Sequence, residues 1–360
     1  MANDREMKIL GHSPKAPLSK LFIQAMEALV SQISKCIYYE NRKVRRSYET
    51  NKSDQEVGFV KKGKRLRKEE VQGIVFANIP FLGFCIFGLI PLLMSLYLCF
   101  NSFKGLRLNT AEFVGLENFK EIFEDELFWQ SLGNTGFVLL ATITALVISI
   151  AVSALIATNV RGAKGFKAVY FVPYVCSMVA ITFMWKWIYD YNYGVLNTTL
   201  LEWGWIQEPI DWLGSEKFYR VAMFVLLVWS STGFNIILLT AALIGVPREL
   251  HEAAELDGAG EIKRFFKITL PLISPTIFYL LVTGLIGALQ EFTRFQVMTP
   301  DGGPAYQGMT VVFYLYKQLF NASGGSDLGV ASAMGWIIAV LITVVTILNF
   351  RMQRKWVNYD

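Results

Sequence analysis

Six stretches of this chain carry no charged residue, and polar segments separate them. They cover residues 71–103, 127–160, 168–185, 221–247, 268–290 and 328–350. A helix needs about 20 residues to cross a hydrocarbon layer of roughly 30 Å. Five stretches exceed that length, and Trp187, Ile188 and Tyr189 extend the third beyond Lys186. The pattern predicts an all-α integral membrane protein with six transmembrane helices, at about 74–100, 134–158, 168–190, 221–246, 271–296 and 329–350.

Charged residues are scarce and unevenly placed. Hydrophobic residues make up 53% of the sequence and charged residues 18%, which argues against two soluble domains. Residues 1–73, the C-terminal tail and every second loop hold 26 Lys and Arg, whereas the alternate loops hold 5. Because Lys and Arg concentrate on the cytoplasmic side, we expect a multi-pass cell membrane protein with both termini in the cytoplasm. The net charge of +5 then reflects topology and implies no nucleic-acid partner.

Residues 1–73 form an N-terminal cytoplasmic extension in this interpretation. Apolar side chains recur there at the intervals of an amphipathic helix: Leu18, Leu21, Phe22, Ala25, Met26, Leu29, Val30, Ile33 and Ile37. Such a helix either contacts the lipid of the anionic inner leaflet or packs against the protein's own cytoplasmic surface. A polybasic stop precedes the first span: Lys61, Lys62, Lys64, Arg65, Arg67 and Lys68. We expect no cleavable signal peptide, because the first apolar stretch comes so late and is too long.

A polar segment from Pro247 to Pro271 separates the fourth and fifth stretches. Pro247 suits the first turn of a helix, whose apolar stripe is then Leu250, Ala253, Ala254 and Leu256. Gly258 and Gly260 permit the positive φ of a helix-ending turn. A second short helix is expected around Phe265, Phe266 and Ile268, and Pro271 is expected to start the next membrane helix. The segment predicts a helical knob that projects from the membrane.

The residues of this segment have the spacing of a known motif. Glu252-Ala253-Ala254, then Gly258, then Ile268 to Pro271 resemble the cytoplasmic EAA loop in the permease subunits of ATP-binding-cassette (ABC) importers. Gly115 to Phe119 resembles the GLENF element of that binding-protein-dependent transport family. Thr299 to Pro304 resembles the T-GGP turn of carbohydrate importers, with one extra residue before the glycines. Residues 74–355 therefore resemble the transmembrane domain of a maltose-type (type I) importer permease.

The resemblance implies a function and a set of partners. The chain would translocate a sugar or oligosaccharide delivered by an extracellular binding protein. It would pair with a second, homologous permease subunit and with two ATP-binding subunits. The ATPases would be coupled through Glu252, Ala253, Ala254, Asp257, Gly258, Ile268, Leu270 and Pro271. Importer permeases for glycerol-phosphate, polyamines or peptides stay open as alternatives, as does a non-transporting membrane scaffold.

Polar residues within spans mark the candidate substrate path, because polar groups are costly in a membrane. On the fifth span, Gly284, Gly287, Gln290, Glu291 and Arg294 are expected on one helical face. In maltose-type relatives the matching part of the fourth span lines the sugar path, which implies Trp229, Ser231 and Asn235. Two other roles stay open: an ion pair between Glu291 and Arg294 that only locks helices together, and interhelical hydrogen bonds from Ser and Asn. Trp185, Trp187 and Tyr189 favour an interfacial aromatic belt, with sugar-stacking platforms as the alternative.

No catalytic, cofactor or metal site is expected in this chain. Residues 58–65 nearly fit a phosphate-binding loop, but Arg65 replaces the hydroxyl that would bind magnesium. Two histidines and no CxxC pair offer no metal site. The resemblance implies that ATP and Mg bind to the partner ATPase, so the chain is not expected to be an enzyme.

Overall fold

The computed structural model describes residues 78–102, 112–157, 165, 174–320 and 327–358. The predicted N-terminal extension and its polybasic stop lie outside the described residues, as do residues 158–164 and 166–173. The chain divides into two units, Met1–Phe81 and Leu82–Asp360. The second unit contains the packed helices, a polar cavity between them and a two-helix knob.

The described parts of the chain are almost entirely helical. In chain order the helices are α1 Asn78–Leu98, α2 Glu117–Glu124, α3 Glu126–Ala157, α4 Met178–Ile188, α5 Val195–Glu202, α6 Glu216–Ile244, α7 Arg248–Leu256, α8 Glu261–Leu272, α9 Ser274–Leu289, α10 Thr293–Met298, α11 Val311–Leu319 and α12 Leu328–Gln353. Two short strands, β1 Asn101–Ser102 and β2 Glu112–Phe113, pair antiparallel. A π-helical turn, Cys85–Leu89, lies within α1.

Four described helices, α1, α3, α6 and α12, are long and apolar enough to cross a membrane. A fifth span is possible if α8 and α9, which are bent by 65° at their junction, count as one. The predicted third span over 168–190 is not a continuous helix in its described part. Its backbone is non-helical at Cys176 and Ser177, and α4 has 11 residues. The prediction of a multi-span helical membrane protein is confirmed, with four or five candidate spans among the described residues.

The centre of the second unit is the contact between α3 and α6. Helix α9 also packs against α3. Small side chains on both helices are buried there, including Ala141, Ala145 and Ala222. Small residues let membrane helices approach closely, which increases their van der Waals contact. Phe313 and Leu226, both fully buried, complete this core. The arrangement holds α3, α6 and α9 side by side.

At the end of the bundle where α3 and α6 begin, a loop after α10 is held by buried polar groups. Asn134 donates hydrogen bonds to the carbonyls of Tyr306 (2.8 Å) and Met309 (3.0 Å). The hydroxyls of Tyr219 and Thr299 lie 2.7 Å apart and share a hydrogen bond. Gly303 has φ +74°, and a Cβ there would lie 2.8 Å from the Tyr219 ring. The loop therefore needs glycine both for its backbone conformation and for its close approach to Tyr219.

Helix α11 is tied to the same end of the bundle. The Thr310 side chain caps α11 by accepting from the Phe313 amide, and the Thr135 hydroxyl accepts from the Val311 amide at 3.0 Å. The Tyr314 hydroxyl donates to the carboxylate of Asp125. Burial, together with this carboxylate, raises the pKa of Tyr314, so the phenol stays protonated as a donor. These contacts fix the segment that follows the candidate site.

Candidate functional site: a polar cavity and a two-helix knob

A cavity of about 370 Å³ lies among α3, α4, α6 and α9. Its polar lining comes from Thr142, Ser231, Asn235, Gln290, Glu291, Thr293 and Arg294. Its apolar lining includes Val138, Leu146, Met178, Leu280 and Leu281. Glycines open the wall formed by α9, because a Cβ at Gly287 would meet no atom within 4 Å. A Cβ at Gly284 would lie 3.0 Å from the Thr142 methyl, so that glycine allows α9 to approach α3.

The prediction that Gly284 to Arg294 occupy one helical face is wrong, because α9 ends at Leu289. Gln290 is the residue after the helix, with φ −104°, and Arg294 belongs to the next helix, α10. The Glu291 carboxylate accepts a hydrogen bond from the Arg294 amide at 3.2 Å, a local bond that competes with helix continuation. The Thr310 hydroxyl donates to the Glu291 carbonyl at 2.6 Å. The break nevertheless brings Gln290, Glu291 and Arg294 to one cavity.

Glu291 and Arg294 form a buried ion pair. Arg294 Nη2 lies 3.3 Å from Glu291 Oε2, and the two side chains are 13% and 8% exposed. Both carboxylate oxygens of Glu291 are therefore engaged, one by the guanidinium and one by the Arg294 amide. Arg294 Nε is buried and has no hydrogen-bond partner among the described residues. Arg294, which lines the cavity, thus has one N–H donor that no described residue engages.

The structure places six of the seven sequence-predicted path residues on the cavity wall: Ser231, Asn235, Gly287, Gln290, Glu291 and Arg294. Trp229 is not among the lining residues, because its ring packs edge-on against Trp185 with centroids 5.4 Å apart. The expected aromatic belt is also only partly exposed. Trp187 is 58% exposed, whereas Tyr189 is 3% exposed and donates to the Ala222 carbonyl at 2.8 Å.

The lining residues on α3 and α4 were missed by sequence reasoning. Val138 and Thr142 lie in the middle of a long apolar helix, and Met178 begins α4. The hydroxyl of Thr142 bonds to the carbonyl of Val138 on its own helix, so nothing in the sequence distinguishes it from other span threonines. Only the tertiary packing of α3 against α9 reveals these residues.

The second region is a knob formed by α7 and α8. Pro247 precedes α7 in an extended conformation, and Gly258 turns the chain with φ +74°. Gly260 has φ −65°, so the expected positive φ is wrong at that position. Arg264 on α8 forms an ion pair with Glu255 on α7 at 2.7 Å, which joins the two helices. The described knob therefore has a defined hairpin geometry.

The predicted start of the next membrane helix at Pro271 is also wrong. Helix α8 runs through a π-helical turn, Phe265–Thr269, and includes Pro271 near its end. The chain bends at Ile273, and α9 begins at Ser274 with Pro275 in its first turn. The predicted coupling residues accordingly divide between two helices and the turn that joins them. Glu252, Ala253 and Ala254 lie on α7, Asp257 and Gly258 in the turn, and Ile268, Leu270 and Pro271 on α8.

The knob carries an exposed apolar surface that the described residues do not cover. Leu250, Leu256, Ile262 and Phe266 are 42%, 90%, 77% and 61% exposed, respectively. No residue of α7 is buried. Several large apolar side chains exposed on one short segment are typical of an interaction site.

The fold and these two regions define a class: a polytopic helical membrane protein with a polar cavity between its helices and a projecting apolar knob. Among the described residues no group of three or more His, Cys, Asp or Glu is placed to hold a metal ion. Residues 149–357 match the family described as "Binding-protein-dependent transport system inner membrane component". The chain belongs to this family, and it is thus a non-enzymatic, multi-pass permease component of an ABC importer.

Curated relatives cover most of the chain. The probable ABC transporter permease protein YesP of Bacillus subtilis (strain 168) is 33% identical over 306 residues, which are 84% of this chain and 96% of YesP. The diacetylchitobiose uptake system permease protein NgcF of Streptomyces coelicolor is 33% identical, over 78% of this chain and 82% of NgcF. The lactose transport system permease protein LacF of Rhizobium radiobacter is 30% identical, over 80% of this chain and 96% of LacF.

Solved structures share the fold. A bacterial ABC transporter involved in the import of the acidic polysaccharide alginate contains a chain with TM-score 0.68 and 22% identity. The match covers 81% of this chain and 99% of that chain. A bacterial alginate ABC transporter in complex with an alginate pentasaccharide-bound periplasmic protein contains a chain with TM-score 0.67 and 21% identity. These relatives are parts of complexes that include other subunits, whereas the present chain is a single permease component.

The buried ion pair leads to a test of stability. Glu291→Ala should destabilise the protein by about 3–5 kcal/mol, because it leaves the Arg294 charge buried and unpaired. The Glu291→Gln/Arg294→Gln double variant should lose less, since no net charge stays buried. Thermal unfolding of the purified protein in detergent measures both. The control is Glu124→Ala, which breaks the exposed Lys120–Glu124 pair and should cost under about 1 kcal/mol. Equal losses in Glu291→Ala and the double variant would contradict this assignment.

Proposed function

We propose that this chain is one of two permease subunits that together translocate a sugar or an oligosaccharide delivered by an extracellular binding protein. The observation that carries the proposal is the chemistry of the cavity. Sugars are neutral polyols, and a site for them needs several hydrogen-bonding groups beside apolar faces. Asn235, Gln290 and Arg294 supply the first, while Val138 and Met178 supply the second.

The volume of the cavity supports a small solute or one end of a longer chain. At about 370 Å³ it lies in the lower part of the range typical of small-molecule sites. The paired charges of Glu291 and Arg294 cancel, so the site has no net charge from these residues. NgcF and LacF are named for diacetylchitobiose and lactose, which supports a saccharide as the solute here.

A second solute class has one observation in its favour. The sn-glycerol-3-phosphate permease UgpA of Shigella flexneri is 33% identical over 70% of this chain and 83% of UgpA. An anionic solute would need a cation in the path, and Arg294 Nε is a donor that no described residue engages. Uptake of a neutral disaccharide panel and of glycerol 3-phosphate, each with the cognate binding protein, distinguishes the two. The neutral saccharides are the expected substrates.

We propose six spans with both termini in the cytoplasm. Helices α1 and α3 form the first two spans, and the segment that ends with α4 forms the third. Helix α6 forms the fourth span, the α8–α9 pair the fifth and α12 the sixth. The excess of Lys and Arg in residues 1–73, 158–168, 247–267 and 351–355 supports this orientation. The knob then lies on the cytoplasmic side, while the loop that packs on Tyr219 lies outside.

In this orientation α7 and the turn at Gly258 are the part of the knob that we propose contacts one of two ATP-binding subunits, which hold ATP and Mg. Leu250 and Leu256 present apolar surface there, and Arg264 ties α7 to α8. A displacement of α7 by the ATPase would therefore be passed to α8 and, beyond the bend at Ile273, to α9. Because α9 forms a wall of the cavity, ATP-driven motion at the knob would reach the solute.

Filling the cavity tests the proposed path. Gly287→Leu should lower uptake by roughly ten-fold or more, because the new side chain occupies space that the solute needs. Protein level and resting ATPase activity of the assembled transporter should stay unchanged, since a Cβ at this position meets no neighbour. The matched control is Gly133→Leu, a helical glycine with equally open surroundings that does not line the cavity. Wild-type uptake in Gly287→Leu would remove this cavity from the path.

Gly258 and Gly260 of the knob provide a matched pair of variants that tests coupling to the ATPase. Gly258→Ala forces alanine into φ +74°, which costs about 1–2 kcal/mol, whereas Gly260→Ala fits its φ of −65°. Neither Cβ would meet an atom within 4 Å, so only the backbone conformation differs. We expect Gly258→Ala, and more strongly Gly258→Asp, to reduce uptake and co-purification of the ATPase. Similar behaviour of Gly258→Ala and Gly260→Ala would mean that the turn does not control coupling.

A further inference from the structure

A second cleft lies between α3 and α8, away from the polar cavity. It has a volume of about 370 Å³, and all of its lining residues are apolar: Val147, Ile150, Ala151, Ala154, Phe265, Phe266 and Leu270. The π-helical turn of α8 contributes Phe265 and Phe266, whose rings meet edge to face at 5.3 Å. Two alanines on α3 leave the space that these rings do not fill. The cleft is thus suited to a hydrocarbon chain.

An open concavity adjoins this cleft and shares Phe266 with it. The concavity is lined by Gly260, Glu261, Ile262, Lys263, Phe266 and Lys267. Lys263 and Lys267 are four residues apart on α8, and both are exposed. Among the described residues neither lysine forms a salt bridge, and Glu261 is the one acidic side chain in the lining. The apolar cleft and the basic concavity therefore meet at Phe266.

We infer that these two surfaces together bind one anionic phospholipid, with an acyl chain in the cleft and the headgroup phosphate at Lys263 and Lys267. The inference rests on the proposed orientation, in which this end of α3 and α8 faces the cytoplasmic leaflet. That leaflet is rich in anionic lipid, and basic pockets between helices on this side suit such headgroups. Charge complementarity thus selects an anionic lipid over a zwitterionic one.

The depth of the cleft distinguishes a lipid from a soluble partner. Val147 to Ala154 belong to α3, a helix long and apolar enough to span a membrane, and these residues span about 10 Å of its length. An ATP-binding subunit in the cytoplasm does not reach hydrocarbon depth, whereas an acyl chain lies there already. A bound lipid would brace α8 against α3 beside the bend at Ile273.

The test uses the assembled transporter in nanodiscs that contain phosphatidylcholine and phosphatidylglycerol. After extraction, native mass spectrometry counts the retained lipids, and a photoactivatable phosphatidylglycerol locates the site by peptide mapping. We expect preferential retention of phosphatidylglycerol and cross-links to residues 147–154 and 262–270. Lys263→Gln/Lys267→Gln should reduce phosphatidylglycerol retention by at least roughly ten-fold, because each basic residue contributes to attraction at an anionic surface. Ala151→Phe, which fills the cleft, should reduce it as well.

Matched controls keep the same changes in charge and bulk. Lys120→Gln/Lys217→Gln removes two exposed lysines at the other end of the bundle, and Ala241→Phe adds a ring at an exposed position on α6; neither should alter retention. Equal retention of the two lipids, unchanged retention in the Lys263/Lys267 variant, or cross-links elsewhere would overturn the lipid site. Protection of Lys263 and Lys267 from acetylation by the ATPase alone would also overturn it. Solute uptake, measured on the same preparations, separately reports whether the proposed transport function holds.

Discussion

Polar backbone groups that lie within an apolar bundle must find partners inside the protein, and this constraint governs the candidate site. Helix α9 ends at Leu289, so the peptide groups that follow lose the helical hydrogen bonds of a continuous span. Glu291 meets part of this need, since its carboxylate accepts from the Arg294 amide and its carbonyl accepts from Thr310. The same break turns Gln290, Glu291 and Arg294 toward one cavity. The helix break after Leu289 therefore accounts both for the hydrogen bonds that Glu291 accepts and for the polar lining of the cavity.

The loop from α10 to α11 makes this interruption stable. Asn134 and Thr135 on α3 hold that loop through the carbonyls of Tyr306 and Met309 and the amide of Val311. Because the loop is anchored on α3, Thr310 stays within reach of the Glu291 carbonyl. The cavity wall is thus supported from the helix that also supplies Val138 and Thr142 to its lining.

Much of the fold was predictable because a helix that spans a membrane must be long and apolar, and both properties can be read from the sequence. The apolar runs predicted α3, α6 and α12 to within several residues, and the spacing of Pro247, Glu252 and Gly258 predicted the knob. The break at Gln290 was not predictable, because Gly287, Gln290 and Arg294 recur at the three- and four-residue intervals of a continuous helix. Its causes, the local bond to Glu291 and the distant hydroxyl of Thr310, exist only in the folded chain. For the same reason, Thr142 and the inward packing of Tyr189 escaped the sequence analysis.

Pro271 shows the limit of local rules in a similar way. Proline favours the first turn of a helix, yet here it lies near the end of α8, and the bend follows at Ile273. The π-helical turn before Pro271 shifts the register of the backbone hydrogen bonds. The helix therefore accommodates the proline, which has no amide donor, before the chain bends. The bend lies between the knob and the cavity, and it is the physical link between the two proposed roles.

We propose that ATP-driven motion of α9 opens the cavity beside the helix break alternately to the two sides of the membrane. The direct measurement is the reactivity of Gly287→Cys toward a small, membrane-impermeant thiol reagent, in a chain whose native cysteines are replaced by serine. In sealed vesicles containing the whole transporter, we expect this reactivity to move from one face of the membrane to the other when ATP is trapped on the ATPase. A cysteine at position 287 that is equally unreactive from both faces in both states would contradict it.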